Sequence, residues 1–245
     1  MLEDQDLKSV QEVRNKIVLA HEAFLKYRDY TQEQVDCIVD CVATAAHSNA
    51  EHLAELAVEE TGYGNVKDKT VKNLLNSDIL HRAIRPLKTV GIINEDHEKG
   101  IIEIAEPMGV VVAVLPTTNP TSTAICKSLI SLKARNATVI SPHPRAVRCT
   151  CATHQLLHDA AVEAGAPVGI LQCLSEATIQ GTNELMQHPL TDMILSTGGT
   201  GIVQAAYSSG KPALGVGPGN VSVLLEASAD VDKAIASIVD GKSFD

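Results

Sequence analysis

Apolar positions in the first 85 residues recur at spacings of three and four, the signature of helices that each bury one face. Val10, Val13, Ile17, Ala20 and Phe24 set a helix over residues 6–27. Thr31 followed by Gln34 is a capping-box pair, and it opens a second helix carrying Val35, Ile38, Val39 and Val42. Residues 51–60 read as a third helix, stopped at Thr61-Gly62-Tyr63-Gly64. Residues 66–84 read as a fourth, with Val71, Leu74, Leu75, Ile79 and Leu80 on or near one face. This stretch shows no convergent chemical groups, so its expected role is packing.

The period then shortens. Residues 89–94 and 101–106 are β-prone and flank an acidic loop at 95–99 closed by Gly100, which predicts a hairpin or extended arm. Beyond Pro107, short β-branched runs alternate with helical segments. Strands are expected at 110–115, 138–140, 169–174, 193–195 and 221–225, and helices at 122–134, 145–164, 179–187 and 231–239. Such alternation predicts an α/β fold: an N-terminal helical layer plus a doubly wound, mostly parallel, Rossmann-like sheet with a short β arm.

Composition narrows the function classes. A chain of 245 residues with 44% apolar content can bury a substantial core. Aromatic residues make up 2% and the net charge is −10, which argues against base stacking and against a phosphate-backbone surface, so no nucleic-acid partner is expected. No apolar run approaches the roughly 20 residues that span a bilayer. The N-terminal MLEDQDLKSV is too acidic and polar for a secretory signal. The expected location is therefore cytoplasmic, without a membrane partner.

Six cysteines (Cys37, Cys41, Cys126, Cys149, Cys151, Cys173) are too sparse for a disulfide scaffold, and most are expected to be reduced, buried, small hydrophobes. Cys149, Cys151, His154 and His158 have metal-ligand chemistry. They share one helical stretch in which Cys149 and Cys151 point about 200° apart, so no metal is expected.

In a doubly wound sheet, ligands gather where strands end. The first end carries Pro116-Thr117-Thr118-Asn119-Pro120 and the second Ser141-Pro142-His143-Pro144. Residues 192–220 then read as strand, Thr197-Gly198-Gly199-Thr200-Gly201 turn, helix, and a second glycine cluster from Gly215 to Asn220. Glycine lets backbone N–H groups and a helix N-terminus approach an anion closely. Small, hydroxylated and glycine residues at successive strand ends point to a dinucleotide site.

Four stretches, EPMGVVVAVLPTTNPTSTAICKSLISLKARNA, SPHPRA, STGGTGIVQAAYSSGKPALGVGPGN and SIVDGKSFD, occur in an order and spacing that resembles the aldehyde dehydrogenase superfamily. The likeness is closer to its CoA-acylating branch, including the aldehyde dehydrogenase half of bifunctional aldehyde-alcohol dehydrogenases, and covers essentially the whole chain. The resemblance implies residues 1–94 as the helical part of a cofactor-binding domain, 95–106 as the β arm and 107–245 as the dinucleotide-binding part. It implies that Asn119 donates its amide to the oxyanion formed when a thiolate attacks an aldehyde. Pro116, Thr117, Ser141, Pro142 and His143 correspond to the cofactor wall, and Thr197, Gly198 and Gly199 to the turn over the dinucleotide, with Ile202 packing beneath. Gly215 and Gly217 are expected at the same site.

Three departures qualify the likeness. Ser141 and His143 stand where hydrolytic relatives usually carry a Lys near the adenosine ribose, so NAD is expected while NADP stays open. Gly215 stands where those relatives carry the Glu that activates water, which favours acyl transfer to coenzyme A; glycine also suits a turn there. No cysteine matches the family's nucleophile, which lies beyond the motif ending here as Gly-Lys-Ser-Phe-Asp. The expectation is a cofactor-binding half whose catalytic domain lies outside these residues, inactive alone and homo-oligomeric as a complete enzyme. A noncatalytic module binding nucleotide or a partner subunit is the alternative.

Overall fold

The computed structural model describes residues 4–245. Its first helices are α1 (Gln5–Tyr27), α2 (Gln32–Ser48), α3 (Ala50–Thr61) and α4 (Val66–Leu74). Asp4 caps α1 by accepting from the backbone of Asp6 and Leu7, and the Thr31–Gln34 box closes in both directions on α2. α3 stops where Gly62 takes φ +67°, a left-handed cap that glycine adopts at little cost. Val13, Ile17, Ala20, Val35, Ile38, Val39 and Val42 are buried, as their spacing predicts.

The fourth helix turns the other way. It continues through a π-helical segment, Leu75–Leu80, into α5 (His81–Ile84). Its buried side chains are Lys69, Asn73 and Ser77, whereas Val71, Leu75 and Ile79 are about half exposed. Each buried polar group has a partner. Lys69 Nζ donates to the Thr118 carbonyl, Asn73 donates to the Ala50 carbonyl and accepts from Thr121 Oγ1, and Ser77 Oγ donates to the Asn73 carbonyl. Hydrogen-bonded polar groups are tolerated inside, so apolar periodicity alone picks the wrong face here.

β1 (Gly91–Asp96) and β2 (Ile101–Ala105) form the expected antiparallel hairpin, with the first strand running two residues into the acidic stretch. Arg135 anchors its base by donating to the carbonyls of Arg28 and Ala105.

The main sheet comprises β3 (Val110–Val114), β4 (Ala137–Ser141), β5 (Leu171–Cys173), β6 (Met193–Thr197) and β7 (Ala213–Val216). Helices α6 (Pro120–Lys133), α7 (Val147–Glu163), α8 (Ile179–Gln187) and α9 (Thr200–Tyr207) alternate with these strands, and α10 (Val231–Ser243) follows. The order is β5-β4-β3-β6-β7 with every pairing parallel. β3 and β4 are buried along their whole length, which accounts for their uninterrupted apolar or small composition. One core joins helical layer and sheet, since Ile17 and Val39 belong to the same buried cluster as Val112 and Val139.

Side chains fix where β3 begins. Asn136 Oδ1 accepts from the backbone N–H groups of Met108 and Gly109, and Asp192 Oδ2 accepts from Val110 N at 2.7 Å. Gly109 sits at φ +131°, and a Cβ there would stand 1.9 Å from Asp192 Oδ2.

Residues 221–225 do not form the expected strand. Val221, Val223, Leu224 and Leu225 are exposed, and β7 is the last strand on that side of the sheet among the described residues. Their apolar pattern has no pairing partner to act on. All six cysteines are free, but only Cys149 and Cys173 are buried, while Cys37 and Cys41 are exposed on α2. Among the described residues, no helix is long and apolar enough to cross a membrane.

Candidate functional site

The strand order reverses between β3 and β6, which opens a crevice at the carboxyl ends of the strands. A cavity of about 680 Å³ occupies it. Pro116, Thr117 and Asn119 line it from β3, Ser141, Pro142 and His143 from β4, Thr197, Gly198, Gly199 and Ile202 from β6 and α9, and Gly217 from beyond β7. Thr178, Ile179, Thr182 and Asn183 at the start of α8 complete the wall and were not singled out by the sequence. They carry no motif, and only the topology brings them here.

Gly215 is not on the cavity. It lies inside β7 and faces α9, where a Cβ would stand 2.5 Å from Val203 Cγ1 and 2.8 Å from Tyr207 Cε2. Its backbone N–H donates to Tyr207 Oη at 2.9 Å. Close packing of the strand against the helix is thus a reason for glycine at this position.

Local chemistry explains how the wall is held. Gly198 N donates to the Val216 carbonyl, and a Cβ on Gly198 would stand 2.8 Å from Ile202 Cγ2, so the glycine lets Ile202 close up beneath the turn. Gly199 caps α9 without a side chain and has open space where its Cβ would be. The first turn of α9 therefore offers backbone N–H donors and the positive end of the helix dipole to an anion. Thr117 Oγ1 is buried without a partner. Ser141 Oγ, by contrast, is paired with Thr182 Oγ1 at 2.9 Å. Partial burial and the nearby Arg145 charge hold the His143 pKa below its usual value, and its Nδ1 accepts from Arg145 N, which leaves the proton on Nε2.

Asn119 stands at the N-terminus of α6 but makes no side-chain capping bond. Its Oδ1 accepts from Lys72 Nζ at 3.0 Å. Lys72 also donates to Asp245 Oδ2 at 2.7 Å, and Lys69 donates to the same oxygen at 3.1 Å. Burial alone would raise the Asp245 pKa; the hydrogen bonds from Lys72 and Lys69 outweigh it and hold the carboxyl below its usual value. The helical layer thus delivers charged groups to the edge of the cavity, beyond the packing role expected of it. Behind the cavity, Lys127 Nζ donates to the carbonyls of Val114 and Leu195 at 2.7 and 2.8 Å, tying β3 to β6, and burial pushes its pKa down to about 7.

Cavity-lining residues include no Asp, Glu, Lys or Arg. Among the described residues, no group of three or more His, Cys, Asp and Glu side chains clusters as metal ligands. Cys149, Cys151, His154 and His158 go separate ways: Cys149 Sγ meets the Ala146 carbonyl, Cys151 meets Cys173, His154 donates to the Leu171 carbonyl, and His158 contacts Asp159 and Gly169.

A glycine cradle at a helix N-terminus, an orphaned buried hydroxyl and apolar walls at a topological switch point fit a dinucleotide.

Residues 3–245 match the model described as the aldehyde dehydrogenase family. The bifunctional aldehyde-alcohol dehydrogenase of Escherichia coli is 46% identical over 237 residues, covering 97% of this chain and 27% of that protein. The crystal structure of an acetylating aldehyde dehydrogenase from Geobacillus thermoglucosidasius superposes with a TM-score of 0.96 at 52% identity, over 99% of this chain and 54% of that one. A Rhodopseudomonas palustris propionaldehyde dehydrogenase with bound propionyl-CoA matches at TM-score 0.84 and 33% identity, over 95% of this chain and 51% of that one. The chain thus spans about a quarter of the bifunctional relative and about half of each of these two solved chains.

Proposed function

Because the chain belongs to the aldehyde dehydrogenase family, we propose that it forms the cofactor-binding part of an enzyme that oxidises an aldehyde with NAD and passes the acyl group to coenzyme A. One observation supports the choice of acceptor: among the described residues that line the cavity, Asn119 offers an amide donor and none is a carboxylate that could activate water. Gly215, packed against Tyr207, supplies none either. An acyl thioester that water attacks slowly is left for a thiol, and a thiolate attacks it far more readily.

The residues divide the work. The backbone N–H groups at the start of α9 bind the pyrophosphate, with Gly198 and Gly199 giving it close approach. Thr117 and the Nε2–H of His143 offer further donors, and Pro116, Pro142 and Ile202 exclude water from the wall. NAD, when bound, supplies the hydride acceptor. With its Oδ1 held by Lys72 and its Nδ2 in only a long 3.5 Å contact with Thr118 Oγ1, Asn119 has an amide hydrogen to donate to the oxyanion that forms as a thiolate adds to the aldehyde. A preorganised donor of this kind is worth about 3 kcal/mol at the transition state.

None of the six cysteines lines the cavity, so we assign the nucleophilic thiol to a part of the enzyme outside these 245 residues. Leu214, Val216, Leu224, Ile235 and Val239 are exposed, and apolar side chains left open in this way suit cover by such a part or by a second subunit. We place the enzyme in the cytoplasm, as a homo-oligomer.

Calorimetric titration with NAD, NADP and coenzyme A, beside an assay for NADH formation, tests this reading. The chain should bind NAD and turn nothing over by itself; a longer protein that includes it and the nucleophile should need coenzyme A. CoA-dependent NADH formation by the 245 residues alone contradicts the assignment of the thiol. A longer protein that uses water as readily as coenzyme A contradicts the acyl-transfer reading.

A further inference from the structure

Away from the cavity, Cys151 in the first half of α7 and Cys173 at the end of β5 bring their sulfurs to 3.6 Å. They are 22 residues apart in sequence, so the fold and not the local chain makes the contact. Cys173 is buried, whereas Cys151 is partly accessible. A disulfide needs about 2.05 Å between sulfurs, so closing the gap takes roughly 1.5 Å of movement shared between two side chains. We propose that Cys151 and Cys173 form a reversible disulfide when the protein meets a hydroperoxide.

The surroundings assign the roles. The two sulfurs share a hydrogen bond, and this contact holds the Cys151 pKa below its usual value despite burial. The same bond, together with burial, raises the Cys173 pKa well above its usual value. Lys16, whose Nζ donates to the Cys173 carbonyl and pairs with Glu12 at 2.8 Å, adds a positive charge that the Glu12 and Glu60 carboxylates oppose. Cys151, the partly accessible member of the pair, is therefore the thiol that meets the oxidant, and the buried Cys173 is the resolving thiol.

In the first step Cys151 Sγ attacks one peroxide oxygen: an S–O bond forms, the O–O bond breaks, and the departing hydroxide takes up the proton that the Cys151 thiol gave up and leaves as water. In the second, Cys173 Sγ attacks the sulfenic sulfur: the S–S bond forms, the S–O bond breaks and hydroxide leaves with the Cys173 proton as water. Two thiols are oxidised and one hydrogen peroxide is reduced to two waters.

The other cysteines are poorer candidates. Burial and the Glu60 carboxylate push the Cys149 thiol up to about 12. Burial raises Cys126 and Cys41, and Cys37 and Cys41 lie one turn apart on the same helix, where bridging would distort the backbone.

The reduced, folded chain is treated with equimolar hydrogen peroxide, alkylated, and mapped by mass spectrometry without reduction. The expected result is a Cys151–Cys173 linked peptide, loss of two of the six titratable thiols, and return of both with dithiothreitol. Cys151→Ser or Cys173→Ser should remove the link, and a Cys37→Ser, Cys41→Ser double variant should keep it. The wild-type map decides the matter even where a buried Cys173→Ser variant folds poorly. Conversion of Cys151 to sulfinic acid without a link, links scattered over Cys37, Cys41 and Cys126, or equal linkage in urea-unfolded chain would each overturn the proposal.

Discussion

Lys72 Nζ and Asn119 Oδ1 lie 3.0 Å apart, and this contact settles which way the Asn119 amide faces. An ammonium has only donors, so the oxygen must turn toward it and the amide nitrogen away. In a complete enzyme bearing this chain, Asn119→Ala should lower kcat about 100-fold with little change in the KM for NAD. Lys72→Met should lower kcat by roughly 10-fold, because the amide can then flip. Steady-state kinetics of the two variants checks both; an unchanged kcat in Lys72→Met would make the contact merely structural.

Gly199 separates binding from folding. Its φ of −66° and ψ of 165° suit any residue, and nothing lies within 4 Å of the Cβ position. Asp is a good helix N-cap, so Gly199→Asp should leave thermal stability unchanged or slightly raised. Its carboxylate would occupy the end of α9 where an anion is to bind, and NAD affinity should fall by about 10-fold or more. Calorimetry beside thermal unfolding reads both outcomes.

Gly109 tests the opposite case. With φ at +131° and a virtual Cβ 1.9 Å from Asp192 Oδ2, Gly109→Ala must displace the carboxylate that holds Val110 N. A loss of about 3 kcal/mol is expected in urea unfolding. Dinucleotide binding should weaken with it, since β3 leads directly into the cavity wall.

Acid should destabilise the chain partly through His154. Burial holds its pKa down to about 4, although its hydrogen bond to the Leu171 carbonyl works in the other direction. An unfolded imidazole titrates near 6.5. Between these values the unfolded chain binds a proton that the folded chain refuses, so this contribution is complete above about pH 6.5 and is lost as pH falls toward 4. Urea midpoints over that range should fall less steeply in His154→Gln. Equal slopes in parent and variant would remove His154 from the account.

Most of the architecture is readable from local signals. Continuous apolar or small runs mark β3 and β4, and the Thr31–Gln34 box marks the start of α2. The cavity wall is legible wherever turn chemistry and strand ends coincide, as at Asn119 and Gly198. Legibility fails where partners are distant in sequence. Lys69 and Asn73 turn inward because Thr118 and Thr121, almost fifty residues on, await them. Thr178 and Asn183 reach the cavity only because β5 lies two strands from β3. Gly215 shows a third limit, in which a glycine that looks like part of a turn is a strand residue making room for Tyr207.

The clasp at the start of β3 acts as the zero mark of a ruler. Asn136 and Asp192 grip three consecutive backbone N–H groups, at Met108, Gly109 and Val110, where the ladder begins. A slip of one residue would turn every β3 side chain to the opposite face of the sheet. With the zero fixed, the distance along the chain from Val110 to Asn119 becomes a set length, and the amide arrives at the cavity mouth by counting from the far edge of the sheet.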